Sequence, residues 1–158
     1  MAYPTVSAPY GLKPINRLDG LPYAGAIRQI PIASTYNTAI FNGDVVKIVA
    51  GGTIEKSPVT NDSSALANAT AGVLVGVAYT NSQSQRVEGQ YYPGNAAATS
   101  AVAYVVDDPK AVFKVAVTLA NSVVATTTEA AVGTNVQLVQ GTGSTITGDS
   151  GASVLQPT

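Results

Sequence analysis

Phe41-Asn-Gly-Asp-Val-Val-Lys-Ile-Val-Ala-Gly-Gly-Thr-Ile-Glu-Lys56 reads as a turn, a strand, a two-residue loop and a returning strand. Gly43 and Asp44 are turn formers, because glycine accepts positive φ and an Asp side chain bonds nearby backbone N–H groups. Val45, Val46, Ile48 and Val49 favour the pleated strand. Gly51-Gly52 is a favoured hairpin loop, and Thr53–Lys56 returns from it.

The same signals continue outward along the chain. Gly72-Val-Leu-Val-Gly-Val-Ala-Tyr-Thr80 is expected to place Val73, Val75, Val77 and Tyr79 on one strand face, with Gly76 opposite marking a bulge or a close backbone. Ala26–Ile32 alternates imperfectly, and 61–71 reads as a polar loop. Gly133-Thr-Asn-Val-Gln-Leu-Val139 can be laid on Gly43–Val49, and Gly141-Thr-Gly143 and Thr145-Ile146 follow as Gly51-Gly52 and Thr53-Ile54 do. A second hairpin of the same kind is expected there. Together these stretches predict a mainly β protein, a small β-barrel or sandwich-like domain over residues 26–158.

Tyr104-Val-Val-Asp-Asp-Pro-Lys-Ala-Val-Phe-Lys-Val115 sets two adjacent aspartates between apolar runs. A strand–turn–strand explains Asp107, Asp108 and Pro109, since Asp starts turns and Pro presets φ at the next position. A calcium loop would need further oxygen ligands at fixed spacing, and this sequence has none nearby.

Residues 1–25 differ from the rest. Pro4, Pro9, Pro14 and Pro22 recur at short intervals among Tyr3, Tyr10 and Tyr23. Each Pro fixes its own φ and pushes its predecessor toward extended geometry, so the segment is expected to be an extended arm. Its apolar residues need a surface to cover them, either their own domain or a neighbour's. Tyr3, Pro4, Val6, Tyr10, Leu12 and Pro14 are the candidate residues for gripping a neighbouring protein.

Composition narrows the chemistry. Apolar residues are 46% of the 158, enough for a core, yet only 11% are charged and the net charge is −1. Soluble domains average about 25% charged residues. Interface centres are depleted of Lys, Glu and Asp, so a neutral surface suits protein contact. The eight Lys and Arg are scattered from Lys13 to Lys114 with no cluster. Neutralising several phosphates together requires such a cluster, so no nucleic-acid partner is expected. The sequence has no Cys and no His, which removes disulfides and thiolate or imidazole metal sites. No apolar run approaches the roughly 20 residues of a membrane helix. No signal peptide is read at the N-terminus. No membrane partner, metal or cofactor is expected, and synthesis in a cytoplasm is.

Two motifs invite catalysis and fail on their missing partners. Gly148-Asp-Ser-Gly151 surrounds the nucleophile in chymotrypsin-like proteases, but the base there is His, and this chain has none. A Ser–Lys dyad needs a buried lysine, and every Lys is expected in an ordinary strand or turn. Gly141–Gly148 lacks the third glycine of a dinucleotide loop and the lysine of a phosphate loop. A glycosidase needs two carboxylates in a cleft, and a compact domain without Trp is a poor host for one. No enzyme activity is expected.

Several stretches then form a pattern: Ser7–Pro14, Phe41–Ile48, Gly51–Ile54, Gly72–Thr80, Gln90–Gly94, Ala103–Phe113 and the closing GSTITGDSG. In this order, from about residue 7 to 154, they resemble a family of tailed-bacteriophage virion proteins, the head decoration or cement proteins. The segment around Asp107 is the most specific part. One departure is Tyr91-Tyr92, where the family pattern would carry an aromatic pair with Trp. The resemblance implies a structural, non-catalytic protein on the outer surface of an icosahedral head. It implies the major capsid protein as partner and a homotrimer as the binding unit. The alternatives are a minor tail or neck component, or a non-catalytic carbohydrate-binding β-module with Tyr91 and Tyr92 as its platform.

Overall fold

The structure, a computed structural model, describes residues 9–58, 70–94, 98–119 and 124–156. Eleven strands are formed among them: β1 Lys13–Arg17, β2 Arg28–Pro31, β3 Val45–Ile48, β4 Ile54–Lys56, β5 Thr70–Asn81, β6 Arg86–Gly89, β7 Ala98–Val106, β8 Ala111–Lys114, β9 Val117–Thr118, β10 Leu138–Val139 and β11 Ser153–Leu155. A single 3₁₀ turn, Glu129–Ala131, is the only helical element among the described residues. The protein is mainly β, as its alternation predicts.

The hairpin of Phe41–Lys56 forms as read. β3 and β4 pair antiparallel with Val46 opposite Lys56 and Ile48 opposite Ile54. Gly51 and Gly52 turn between them at φ 105° and 75°, a region other residues avoid. This hairpin enters a six-stranded sheet in the order β2-β7-β5-β3-β4, with β6 also on β5. An isolated parallel bridge from Ile32, just past β2, to Ile54 in β4 brings the two ends of that order together and curls the sheet toward a small barrel. Ile30, Ile32, Ile40, Val46, Ile54 and Leu74 fill the interior with Tyr92. Tyr92 donates its phenol to the Tyr36 carbonyl, and the Tyr36 phenol oxygen accepts the Lys56 N–H. Burial pushes both phenols above their ordinary pKa.

Two expectations change at the level of register. In β5, Leu74 pairs with Val105 and Gly76 with Tyr104, so Val75 is an extra residue. That bulge puts Leu74 and Val77 together in the core and splits the expected face of Val73, Val75, Val77 and Tyr79. A Cβ on Gly76 would stand 3.3 Å from the Tyr104 ring, which accounts for the glycine. The polar stretch 61–71 lies outside the described residues as far as 69, and Thr70 and Ala71 already belong to β5.

The C-terminal segment does not repeat the first hairpin. β10 pairs with β11, and β11 pairs in parallel with β9. Residues 144–149 close a separate loop, in which Ser144 N–H bonds the Asp149 carbonyl and Gly148 N–H bonds the Ser144 carbonyl. The glycines here serve close approach. A Cβ on Gly141 would run into the Gly151 backbone, and a Cβ on Gly151 into the Thr142 backbone.

β1 is extended, as the prolines require, and it pairs antiparallel with β8 on its own chain. Asp107–Lys110 does turn the chain, but β8 does not fold back on β7. Both edges of β7 are taken, by β2 and β5. The chain therefore leaves the barrel at this corner and finds β1 instead.

Candidate functional site

At that corner Asp108 faces the N-terminal segment and Asp107 faces β2. Asp108 accepts the Lys110 N–H at 2.8 Å, and its backbone carbonyl accepts the Ala111 N–H. Its other carboxylate oxygen lies 3.4 Å from Arg17 Nε. Asp107 pairs with Arg28 at 2.7 Å, but the Arg28 side chain is 65% exposed. Exposed pairs contribute about 0–1 kcal/mol. Asp107→Ala is expected to stay within that range. Asp108→Ala, which also loses a turn bond, is expected to cost about 1–2 kcal/mol by urea denaturation. Equal losses would contradict this division of roles.

The Gly148–Gly151 motif also has a structural use. Ser150 is buried and donates its hydroxyl to Asp44 Oδ1. Asp44 Oδ2 accepts the Phe41 N–H at 2.8 Å and pairs with Lys56 Nζ at 3.0 Å. Gln140 adds a clamp, taking the Val45 N–H and donating to the Val45 and Ser57 carbonyls. Lys56 departs from the expectation of an ordinary setting, since its side chain is only 18% exposed. It still makes no dyad with Ser150. A carboxylate sits between them, and Nζ is spent on Asp44 and the Gly141 carbonyl. A lysine base must be a free amine within reach of the hydroxyl.

Among the arm candidates, Tyr3, Pro4 and Val6 lie outside the described residues. Tyr10, Leu12 and Pro14 are half-buried on their own chain. Lys114 Nζ sits 5.9 Å over the Tyr10 ring, Leu12 N–H bonds the Gly43 carbonyl, and Pro14 pairs with Phe113. The apolar residues that face solvent come next in the chain. Arg17 N–H bonds the Leu21 carbonyl, Asn16 bridges Pro22, and Tyr23 N–H bonds the Ile15 carbonyl. These bonds make a short finger with Leu18-Asp19-Gly20-Leu21 at its tip. Leu18 is 75% exposed and Leu21 56%. From Leu18 to Gln29 every residue except Tyr23 is exposed, and Ile15 and Ile27 add to the apolar surface. Burial first, then the Asp108 and Asp107 charges, raises the Tyr23 pKa. Sequence reasoning did not select Leu18 and Leu21. The available signal was Asp19-Gly20, a hairpin-loop pair flanked by leucines.

Tyr91 and Tyr92 do not form a platform. Tyr92 is in the core, and Tyr91 stacks on Phe41 with centroids 5.2 Å apart. No family model, curated protein or solved structure matches the chain.

Proposed function

We propose that this protein is a structural virion component, a decoration or cement protein that binds the outer surface of an icosahedral phage head across coat-protein subunits. The observation that carries the proposal is the solvent-facing finger, which places Leu18 and Leu21 at the tip of a hairpin tied to the fold through Arg17 and β8. Leucines held at the end of a braced hairpin suit insertion into a groove of a neighbour. The weakly charged surface suits the same use. Occupation of the GDSG serine and of Lys56 by a buried brace supports a non-catalytic role.

Binding only the assembled, mature shell would stabilise it by mass action. A homotrimer would multiply modest contacts through effective concentration. The shell is the partner in this account, and the outer capsid surface its location. The test is co-sedimentation of the purified chain with heads that lack it. Saturable pelleting with intact heads, absent with dissociated coat protein, is the expected outcome. A chain that stays in the supernatant overturns the proposal. Deleting residues 1–25 would be a poor substitute test, since it also removes β1 and Lys13 from the fold.

A further inference from the structure

Lys13 Nζ lies 2.8 Å from Asn42 Oδ1 and 2.6 Å from Asp149 Oδ1. The three residues come from the N-terminal segment, the barrel hairpin and the C-terminal loop. We infer that they form a self-crosslinking site, in which the Lys13 amine displaces the side-chain nitrogen of Asn42 and leaves an isopeptide bond.

Each residue is held by backbone contacts. Leu12 N–H bonds the Gly43 carbonyl at 3.1 Å, which sets Lys13 beside Asn42. That approach requires two glycines, because a Cβ on Gly11 would stand 2.8 Å from Gly43 Cα, and one on Gly43 equally close to Gly11. Asn42 N–H bonds the Gly148 carbonyl, and Ser150 N–H bonds the Asn42 carbonyl, which fixes Asp149 on the other side.

The orientation of the amide matters most. Asn42 Nδ2 donates to the Val75 carbonyl at 2.9 Å while Oδ1 accepts from Lys13. Only this orientation satisfies both partners, and it turns the carbonyl toward the amine. An ion pair between Lys13 and Asp149 would be complete without a fixed amide. A carbonyl, an amine and a proton carrier are the components of amide transfer. Holding an amine against a carbonyl group is worth effective molarities of about 10⁵ M or more once the nitrogen lines up on the carbon.

The step balances without an oxidant or co-reactant. In mildly alkaline buffer solvent base takes one proton from the Lys13 ammonium, and the free amine attacks Asn42 Cγ. The Nζ–Cγ bond forms and the Cγ–Nδ2 bond breaks. Asp149 carries one of the two remaining Nζ protons to Nδ2, which leaves as ammonia and becomes ammonium in solvent. The other stays on the new amide, and Asp149 ends as the carboxylate it began as. Asp149 acts as a proton carrier of the usual carboxylate kind. Escape of ammonium into solvent makes the step one-way. The product ties the N-terminal segment to the barrel, so a pull on that segment would act on a covalent bond.

Intact mass of the purified full chain, aged folded in mildly alkaline buffer and then denatured, provides the test. The expected loss is one ammonia, about 17 Da, as a covalent change of the chain itself. A succinimide at Asn42-Gly43 has the same mass, so the tryptic digest decides between them. Fragments 1–17 and 29–47 should be recovered as one branched species. Lys13→Arg and Asn42→Ala should each abolish that species, and Asp149→Asn should slow its appearance at least tenfold. A wild-type chain at its full linear mass would overturn the inference. A loss that persists in Lys13→Arg would overturn it as well.

Discussion

Asp44→Ala is expected to destabilise the fold by about 3–5 kcal/mol, the range for removing one partner of a buried ion pair. Asp44 is fully buried and serves three groups: Lys56 Nζ, the Ser150 hydroxyl and the Phe41 N–H. With alanine there, the ammonium of a side chain that is 18% exposed loses its counter-charge, and two donors lose their acceptor. Ser150→Ala removes one neutral donor to Asp44 and the acceptor of the Ala152 N–H, and a smaller loss of about 2–3 kcal/mol is expected. Urea denaturation of both variants, at unchanged m-value, measures the difference. A loss below about 1 kcal/mol for Asp44→Ala would mean that burial of this pair is offset elsewhere.

Leu18→Ser combined with Leu21→Ser is expected to weaken binding to heads by roughly 10²–10⁴-fold. Fully burying a leucine is worth about 1.5–3 kcal/mol, and each 1.4 kcal/mol is tenfold in affinity. Both side chains are exposed in the isolated chain. Its own stability should therefore change by no more than about 0.5 kcal/mol. Loss of binding with stability intact locates the contact at the finger. Undiminished binding would move it to another exposed apolar position, such as Ile146 in the C-terminal loop.

The parts of the fold that could be read in advance are those whose signals are local. Gly51-Gly52 and the flanking β-formers specify the β3–β4 hairpin without outside help. The same holds for the Asp107–Lys110 turn, where Asp108 bonds the backbone two residues on. Strand partners were not legible there, because occupancy of the β7 edges is settled by β2 and β5, far away in sequence. Glycines misled for a related reason. Gly141 and Gly151 have the look of turn residues but are needed where two backbones touch. The Asp44–Ser150 contact spans 106 residues and leaves no pattern in either segment. The finger was half-legible: the prolines marked an unusual segment, but Leu18 and Leu21 break no rule of alternation. Of the six residues chosen as gripping candidates, only Tyr10, Leu12 and Pro14 lie among the described residues, on their own domain.

Copy number in the particle bears most directly on the proposed role. Purified virions would be digested and this chain quantified against the major coat protein by mass spectrometry. A cement protein predicts a ratio of the same order as the coat protein, retained through a density gradient. A ratio far below one would contradict that role in favour of a tail or neck component, and absence from particles would remove the virion assignment altogether.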